Sequence, residues 1–438
     1  MTSAAAAPPS RLFALAASAF VVLAAEPLYV LVDTAVVGHL GEVPLGGLGV
    51  AGTLLELVAV VGTFLEYGTT ARAARWFGAG HRDRAVAEGL QAVWLAVGLG
   101  LLGVVLGEVF AGPLTRALAG GATPTQAAAE QWLRIAVLGL PCVLVVVASN
   151  GWLRGVQDTR TPVRVVLLAN AVSAVLCPVL VYPAGWGLAG SAVANVAAQV
   201  LGAVLFVRAL LRATSQRRPH WRTMRAQLVV GRDLLLRSVA FQAAFLTSAG
   251  VAARLGAAQV AAHQIALQLW TFLALVLDSF AIAAQSLVGA ALGGADVADA
   301  RRTAARVGRL GLLVGVVVAV LLLAGWHVVP AVFTSSPAVR HQASQLWPWF
   351  VGMMPAAGLV FALDGVLIGA GDVAFMRNLT LVAALLFFVP IDLLGLHLGW
   401  GIAGVWAGLA AFIVVRTVGM VIRCLGQRWL VVGETRGR

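Results

Sequence analysis

The 438-residue sequence contains no lysine: its thirty basic residues are all arginine. This usage fits a GC-rich genome. Charge of either sign is scarce, at 11% of the chain, against about 25% in a soluble domain. That shortage excludes an ordinary soluble globule, whose surface must be solvated. Cysteine is rare too. Cys142, Cys177 and Cys424 lie in or at the ends of apolar segments, so they form neither a disulfide framework nor a metal-ligand spacing. Enzyme signatures are missing: the chain has no H-E-x-x-H, no G-x-S-x-G and no paired-aspartate motif. A Walker A loop is absent as well, which argues against ATP-driven export within this chain. Gly47-Leu48-Gly49-Val50-Ala51-Gly52 matches a dinucleotide-binding pattern formally, but no strand precedes it, and close helix packing explains it better.

What is there is apolar. Hydrophobic residues make up 61% of the chain, with mean hydropathy +0.94 and Gly 49. A bilayer core of about 30 Å is crossed by roughly 20 apolar residues as a helix, and only helices or closed barrels satisfy their own backbone there. Hydropathy predicts twelve spans, at 12–37, 46–71, 85–111, 129–153, 163–183, 187–211, 233–252, 259–292, 304–329, 343–369, 377–396 and 400–424. The expected fold is therefore an all-α integral membrane protein. Met1 to Ser10 lack the cationic start of a signal peptide, so the run after Arg11 is kept as the first helix.

The arginines alternate between loops. Arg72, Arg75, Arg82 and Arg84 follow span 2; Arg154, Arg160 and Arg164 follow span 4; and Arg208, Arg212, Arg217, Arg218, Arg222 and Arg225 follow span 6. Arg301, Arg302 and Arg306, then Arg377, then Arg423, Arg428, Arg436 and Arg438, follow spans 8, 10 and 12. The other loops hold little beyond Arg116, Arg254 and Arg340. By the positive-inside rule both termini are cytoplasmic. The net charge of +12 thus reflects topology rather than nucleic-acid binding.

An internal repeat organises the chain. Asn150-Gly151-Trp152-Leu153-Arg154-Gly155-Val156-Gln157-Asp158 aligns with Asp364-Gly365-Val366-Leu367-Ile368-Gly369-Ala370-Gly371-Asp372 at an offset of 214. Pro141 and Pro355 share that offset, as do Trp186 and Trp400. Earlier the offset is 215, from Leu40-Gly41 to Leu255-Gly256 and from Gly78 to Gly293. The expected domains are a six-helix lobe at 1–212, a basic cytoplasmic linker at 213–232, a second six-helix lobe at 233–425 and a cytoplasmic tail at 426–438. Six spans per half make the repeats parallel, related by a pseudo-two-fold axis along the membrane normal. Two such bundles can enclose a cleft that opens to alternate sides. The plainer alternative is a duplicated channel or scaffold with no moving cleft.

Carboxylates inside a spanning helix are costly and are functional candidates by default. In span 1, Glu26 and Asp33 are seven residues apart and share a face with Tyr29. Pro27 removes a backbone donor between them. A buried acid on such a helix is suited to bind and release a proton; the alternative is an Asp that only fixes helix packing. Asn195 and Gln199 lie four apart in span 6, where interhelical hydrogen bonding is an equal reading. Gln264, Gln268, Asp278 and Gln285 give span 8 a polar side. Asp392 falls near the outer end of span 11, within reach of water. His263 reads as a hydrogen-bonded bundle residue, Asp364 as a helix-end packing residue, and Trp347 and Trp349 as members of an interfacial aromatic belt.

Three motifs carry a resemblance. Pro27-Leu28-Tyr29-Val30-Leu31-Val32-Asp33-Thr34-Ala35-Val36-Val37-Gly38-His39-Leu40-Gly41 resembles the first helix of multidrug and toxic compound extrusion (MATE) transporters, especially their DinF-like branch. Leu153-Arg154-Gly155-Val156-Gln157-Asp158-Thr159-Arg160-Thr161-Pro162 resembles that family's loop after helix 4. Asp278 to Gly289 resembles its helix 8. The resemblance covers essentially the whole chain. It implies a secondary antiporter that expels amphipathic, often cationic small molecules against a proton or sodium gradient, with no other cofactor, working as a monomer in the bacterial cytoplasmic membrane. It also implies that Asp33 is the main ion-linked group, with Tyr29 one turn earlier. Ser173 and Cys177, beside Asn170, stand where many relatives have an Asn and an Asp, and Asn195 stands for a Thr of the same network. The second carboxylate is then lost, and a thiol is a poor sodium ligand, which favours protons. A lipid-linked precursor flippase of the same superfamily is the alternative function, with Arg416 as the main buried cation; a channel or scaffold is the third.

Overall fold

The computed structural model describes residues 9–214 and 217–434. Expectations that fall on residues 1–8, on Ser215 and Gln216 of the linker, and on Arg436 and Arg438 of the tail lie outside the described residues.

Each predicted span is mostly helical. In order the helices are α1 (Pro9–Gly38), α2 (Glu42–Gly78), α3 (Arg82–Leu118), α4 (Pro124–Val137), α5 (Leu140–Gly155), α6 (Arg160–Val181) and α7 (Gly187–Ala213). Then come α8 (Trp221–Leu255), α9 (Ala257–Gly293), α10 (Val297–Ala324), the short α11 (Val328–Phe333), α12 (Pro337–Gly369), α13 (Val373–Ala383), α14 (Val389–His397) and α15 (Gly401–Leu425). A π-helical segment, Ala384–Phe388, joins α13 to α14. Among the described residues eleven helices are long and apolar enough to cross a membrane, and α4 with α5 makes a twelfth, bent by 55°.

The differences from the sequence reading have local causes. Span 4 is broken because Pro141 lies in the first turn of α5 and cannot donate to a carbonyl one turn back. In α12 the equivalent Pro355 is absorbed without a break. The linker is shorter than hydropathy suggests: α8 already begins at Trp221, because a helix can run on past the apolar core as arginine-bearing turns. Several arginines assigned to loops are likewise buried in helices, with Arg75 at 2% and Arg154 at 6% exposure.

Contacts divide the chain into two compact units, residues 17–231 and residues 232–438 together with 1–16. In the first unit, α5 lies on α2 through Gly151 and Gly155, which face the backbones of Glu66 and Thr70. The Thr70 hydroxyl donates to the Gly151 carbonyl across this contact at 2.9 Å. In the second unit Gly365 and Gly369 of α12 face Ala281 and Gln285 of α9 in the same way. Small residues four apart let the backbones touch, which is how helices associate without a hydrophobic driving force. The turns after α1 and α8 also match, with Gly41 at φ +117° and Gly256 at φ +119°, a conformation that a side chain rarely adopts.

Candidate functional site

The first unit gathers its polar groups around α1. Asp33 is 4% exposed. Its Oδ1 accepts the hydroxyl of Ser191 on α7 at 2.7 Å and the thiol of Cys177 on α6 at 3.1 Å. Ser191 is itself fixed by the indole N–H of Trp132 on α4, at 3.1 Å. Indole, hydroxyl and carboxyl therefore form one directed chain from α4 through α7 to α1. One turn away, the Asn195 amide meets the Tyr29 hydroxyl at 3.3 Å, with Ser173 beside that hydroxyl and bonded to the Ala194 carbonyl. The pairs 33 with 191 and 29 with 195 run in opposite senses, as two antiparallel helices require. Among the described residues Asp33 has no cationic partner.

Of the residues singled out from sequence, Asp33, Tyr29, Ser173, Cys177 and Asn195 come together. Asn170 and Gln199 are half-buried on the same helices but make no hydrogen bond among the described residues. Glu26 is not part of the network. It is accessible, and its charged neighbours are Glu56 and Glu66 of α2. Glu66 in turn is paired with Arg154 of α5. Ser191 escaped the sequence reading. Its spacing of four from Asn195 places it on the same helix face, which is the signal that could have found it.

The second unit holds Gln264 and Gln268 exposed, Asp278 half-buried and Gln285 buried on α9. Its most buried charges lie elsewhere. Asp364 is 5% exposed and bonds Arg416 of α15 at 2.7 and 2.8 Å and Arg237 of α8 at 2.7 Å. It is thus a buried ion-pair residue rather than a helix-end packing group. The Arg416 guanidinium, 1% exposed, also lies over Phe241 and Phe412 at 4.8 and 5.4 Å. Asp392 is fully buried and accepts the Ser248 hydroxyl, so water does not reach it. Trp347 is buried at 1%, donating to the Leu322 carbonyl, whereas Trp349 is exposed at 45%; only the latter can belong to an interfacial belt. His263 is packed against Trp406, and neither of its ring nitrogens finds a hydrogen-bond partner among the described residues.

Similar proteins agree on one family. A family model described as MatE matches residues 18–179 and 234–394. Protein DETOXIFICATION 44, chloroplastic, of Arabidopsis thaliana is 31% identical over 438 residues, covering 95% of this chain and 82% of that protein. DNA damage-inducible protein F of Escherichia coli is 33% identical over 404 residues, covering 89% and 86%. A solved structure of an outward-facing multidrug resistance MATE family transporter of the MOP superfamily has the same fold, with a TM-score of 0.83, 20% identity and coverage of 95% and 96%.

Proposed function

This chain belongs to the MATE family, a family of membrane transporters rather than enzymes, and we propose that it exports amphipathic, cationic small molecules in exchange for protons carried by Asp33. The observation that carries this reading is the setting of Asp33. A carboxyl buried inside a spanning helix, held by one hydroxyl and one thiol and, among the described residues, by no cation, is a group whose charge is easily changed. Sodium is less well served, because beside neutral hydroxyls such as that of Ser191 the site offers a single carboxyl, and Cys177 puts a soft sulfur where a hard cation prefers oxygen. Coupling requires only that proton and substrate prefer different conformations of the transporter. On this reading the proton taken up by Asp33 and the exported molecule occupy the protein in turn. We place it as a single chain in a bacterial cytoplasmic membrane, with both termini inside.

The flippase alternative calls for free buried cations. Arg416 and Arg237 are instead held by Asp364, so this observation favours the efflux reading.

The test uses inside-out vesicles energised to an acid interior, with a pH-sensitive dye and amphipathic cations added. Alkalinisation is expected in the wild type, with or without sodium, and is lost in Asp33→Asn at equal expression. Equal signals in the two proteins would remove Asp33 from the coupling role, and a strict sodium requirement would remove the proton.

A further inference from the structure

The repeat brings a second carboxyl to the counterpart of the Asp33 site, and the register is fixed by contacts. On the first helix of each unit the offset is 215, set by the matching left-handed turns at Gly41 and Gly256; Asp33 thus corresponds to Ser248. On the fifth helix the offset is 214 at its start, where Asp158 corresponds to Asp372. The π-helical segment Ala384–Phe388 then adds a residue to one turn. From there to the end of that helix the offset is 215, and it returns to 214 at Trp186 and Trp400. The Trp186 N–H donates to the Leu180 carbonyl, and its counterpart, the Trp400 N–H, donates to the Gly395 carbonyl. Gly190 faces Leu180, and its counterpart Gly404 faces Gly395. Cys177 therefore corresponds to Asp392.

The hydrogen bond from Cys177 to Asp33 and the one from Ser248 to Asp392 are then the same contact, with the acid and its donor exchanged between helices. A third position changes to match. Ala194 packs beside Cys177, but its counterpart is Gly408, where a Cβ would fall on Asp392 Oδ1. The missing methyl makes room for the carboxyl. Asp392 Oδ1 is buried and accepts no hydrogen bond among the described residues, which is expensive for a fixed carboxylate.

The charged groups on the elements around Asp392 do not neutralise it. On α8, Arg237 is held by Asp364, Arg232 and Asp233 pair with each other, and Arg222, Arg225 and Arg254 sit near the helix ends. On α15, Arg416 is held by Asp364 and Arg423 by Asp372. His397, at the end of α14, is exposed, and the π segment carries no charge.

We propose that Asp392 is a second proton-binding carboxyl of this transporter, held between Ser248 and Gly408 in the second unit's counterpart of the Asp33 site, at the position equivalent to Cys177. The proposal rests on the proton-coupled reading above. A proton binds at the unpaired Oδ1 and leaves from it, while Oδ2 keeps the Ser248 hydroxyl.

The test is an infrared titration of the purified full-length chain without substrate, following protonated-carboxyl bands from about pH 5 to about pH 9. Wild type is expected to lose two such bands as the pH rises. Asp392→Asn lacks one of them from the start and Asp33→Asn lacks the other. Ser248→Ala moves the midpoint of the Asp392 band. If Asp392→Asn fails to fold, Asp392→Glu keeps a titrating band at a shifted frequency. A band assigned to Asp392 that persists unchanged across the range would overturn the proposal, as would identical spectra for wild type and Asp392→Asn. Because no export is measured, loss of the Asp392 band leaves the role of Asp33 untouched, and failure of Asp33→Asn to abolish export leaves the Asp392 titration standing.

Discussion

Replacing Asp364 by Asn is expected to destabilise the protein more than any loss of the Asp33 network. Asp364 sits between two guanidinium groups, and one of these, on Arg416, is almost inaccessible. Removing the carboxylate leaves Arg416 charged and desolvated, which costs about 3–5 kcal/mol when one partner of a buried pair is deleted. Its contacts with Phe241 and Phe412 are the same before and after the substitution, so they leave this difference unchanged. Arg237 is less exposed to the loss, because its side chain is 15% accessible and can turn toward water. The expectation is therefore about 3–5 kcal/mol of destabilisation. Replacing both partners by apolar residues, Asp364→Leu with Arg416→Met, is expected to recover most of it, since a buried pair replaced as a unit is often nearly neutral. The assay is thermal unfolding in a single detergent of wild type, Asp364→Leu, Arg416→Met and the double variant, read as a double-mutant cycle, with Asp364→Asn measured beside them. An Asp364→Asn protein as stable as wild type would refute the reasoning. So would a double variant no better than the worse single one, since the damage would then come from lost packing rather than from stranded charge.

Ser191→Ala removes a bond to a carboxyl worth about 1.5–3 kcal/mol if that carboxyl is charged, and is expected to reduce transport strongly; Tyr29→Phe, which loses neutral contacts with Asn195, at 3.3 Å, and with Ser173, costs about 1 kcal/mol. Transport rates of the two variants at matched expression compare them. Gly369→Ala places a methyl group on the Gln285 backbone, an overpacking that costs about 1–3 kcal/mol, whereas Gly98→Ala, whose Cβ meets open space, leaves the melting temperature unchanged. A small polar maleimide is expected to modify Cys142 and Cys424, which are partly exposed, before Cys177, which is buried; mass spectrometry of the labelled peptides decides it.

The twelve spans were legible because each is a long apolar run, and most of the length of each is helical. Helix ends were not, because α2 and α8 carry arginines for several turns beyond their apolar cores. The break between α4 and α5 was hidden, since Pro141 and Pro355 look alike in sequence but only one interrupts its helix. At the site, Asp33 was conspicuous as a carboxylate among apolar residues. Its donor Ser191 was not, because a serine between glycine and alanine in a membrane helix is unremarkable. Asp392 was misread as water-accessible from its distance along the chain. Its real environment depends on the π-helical segment before it, and nothing in the sequence Ala384-Leu385-Leu386-Phe387-Phe388 announces an extra residue in a turn.

The absence of lysine has a consequence for how this molecule answers to acid and base. Each ion pair at the helix ends, Arg72 with Glu88, Arg377 with Asp233 and Arg423 with Asp372, has a guanidinium as its cation, and a guanidinium keeps its charge under all physiological conditions. No change of pH can loosen these fastenings from the basic side. The chain's proton inventory near neutrality shrinks to seven histidines, the terminal amine and whichever carboxyls are protonated there. Against so quiet a background, the gain or loss of one proton at one buried acid is an event that can be counted.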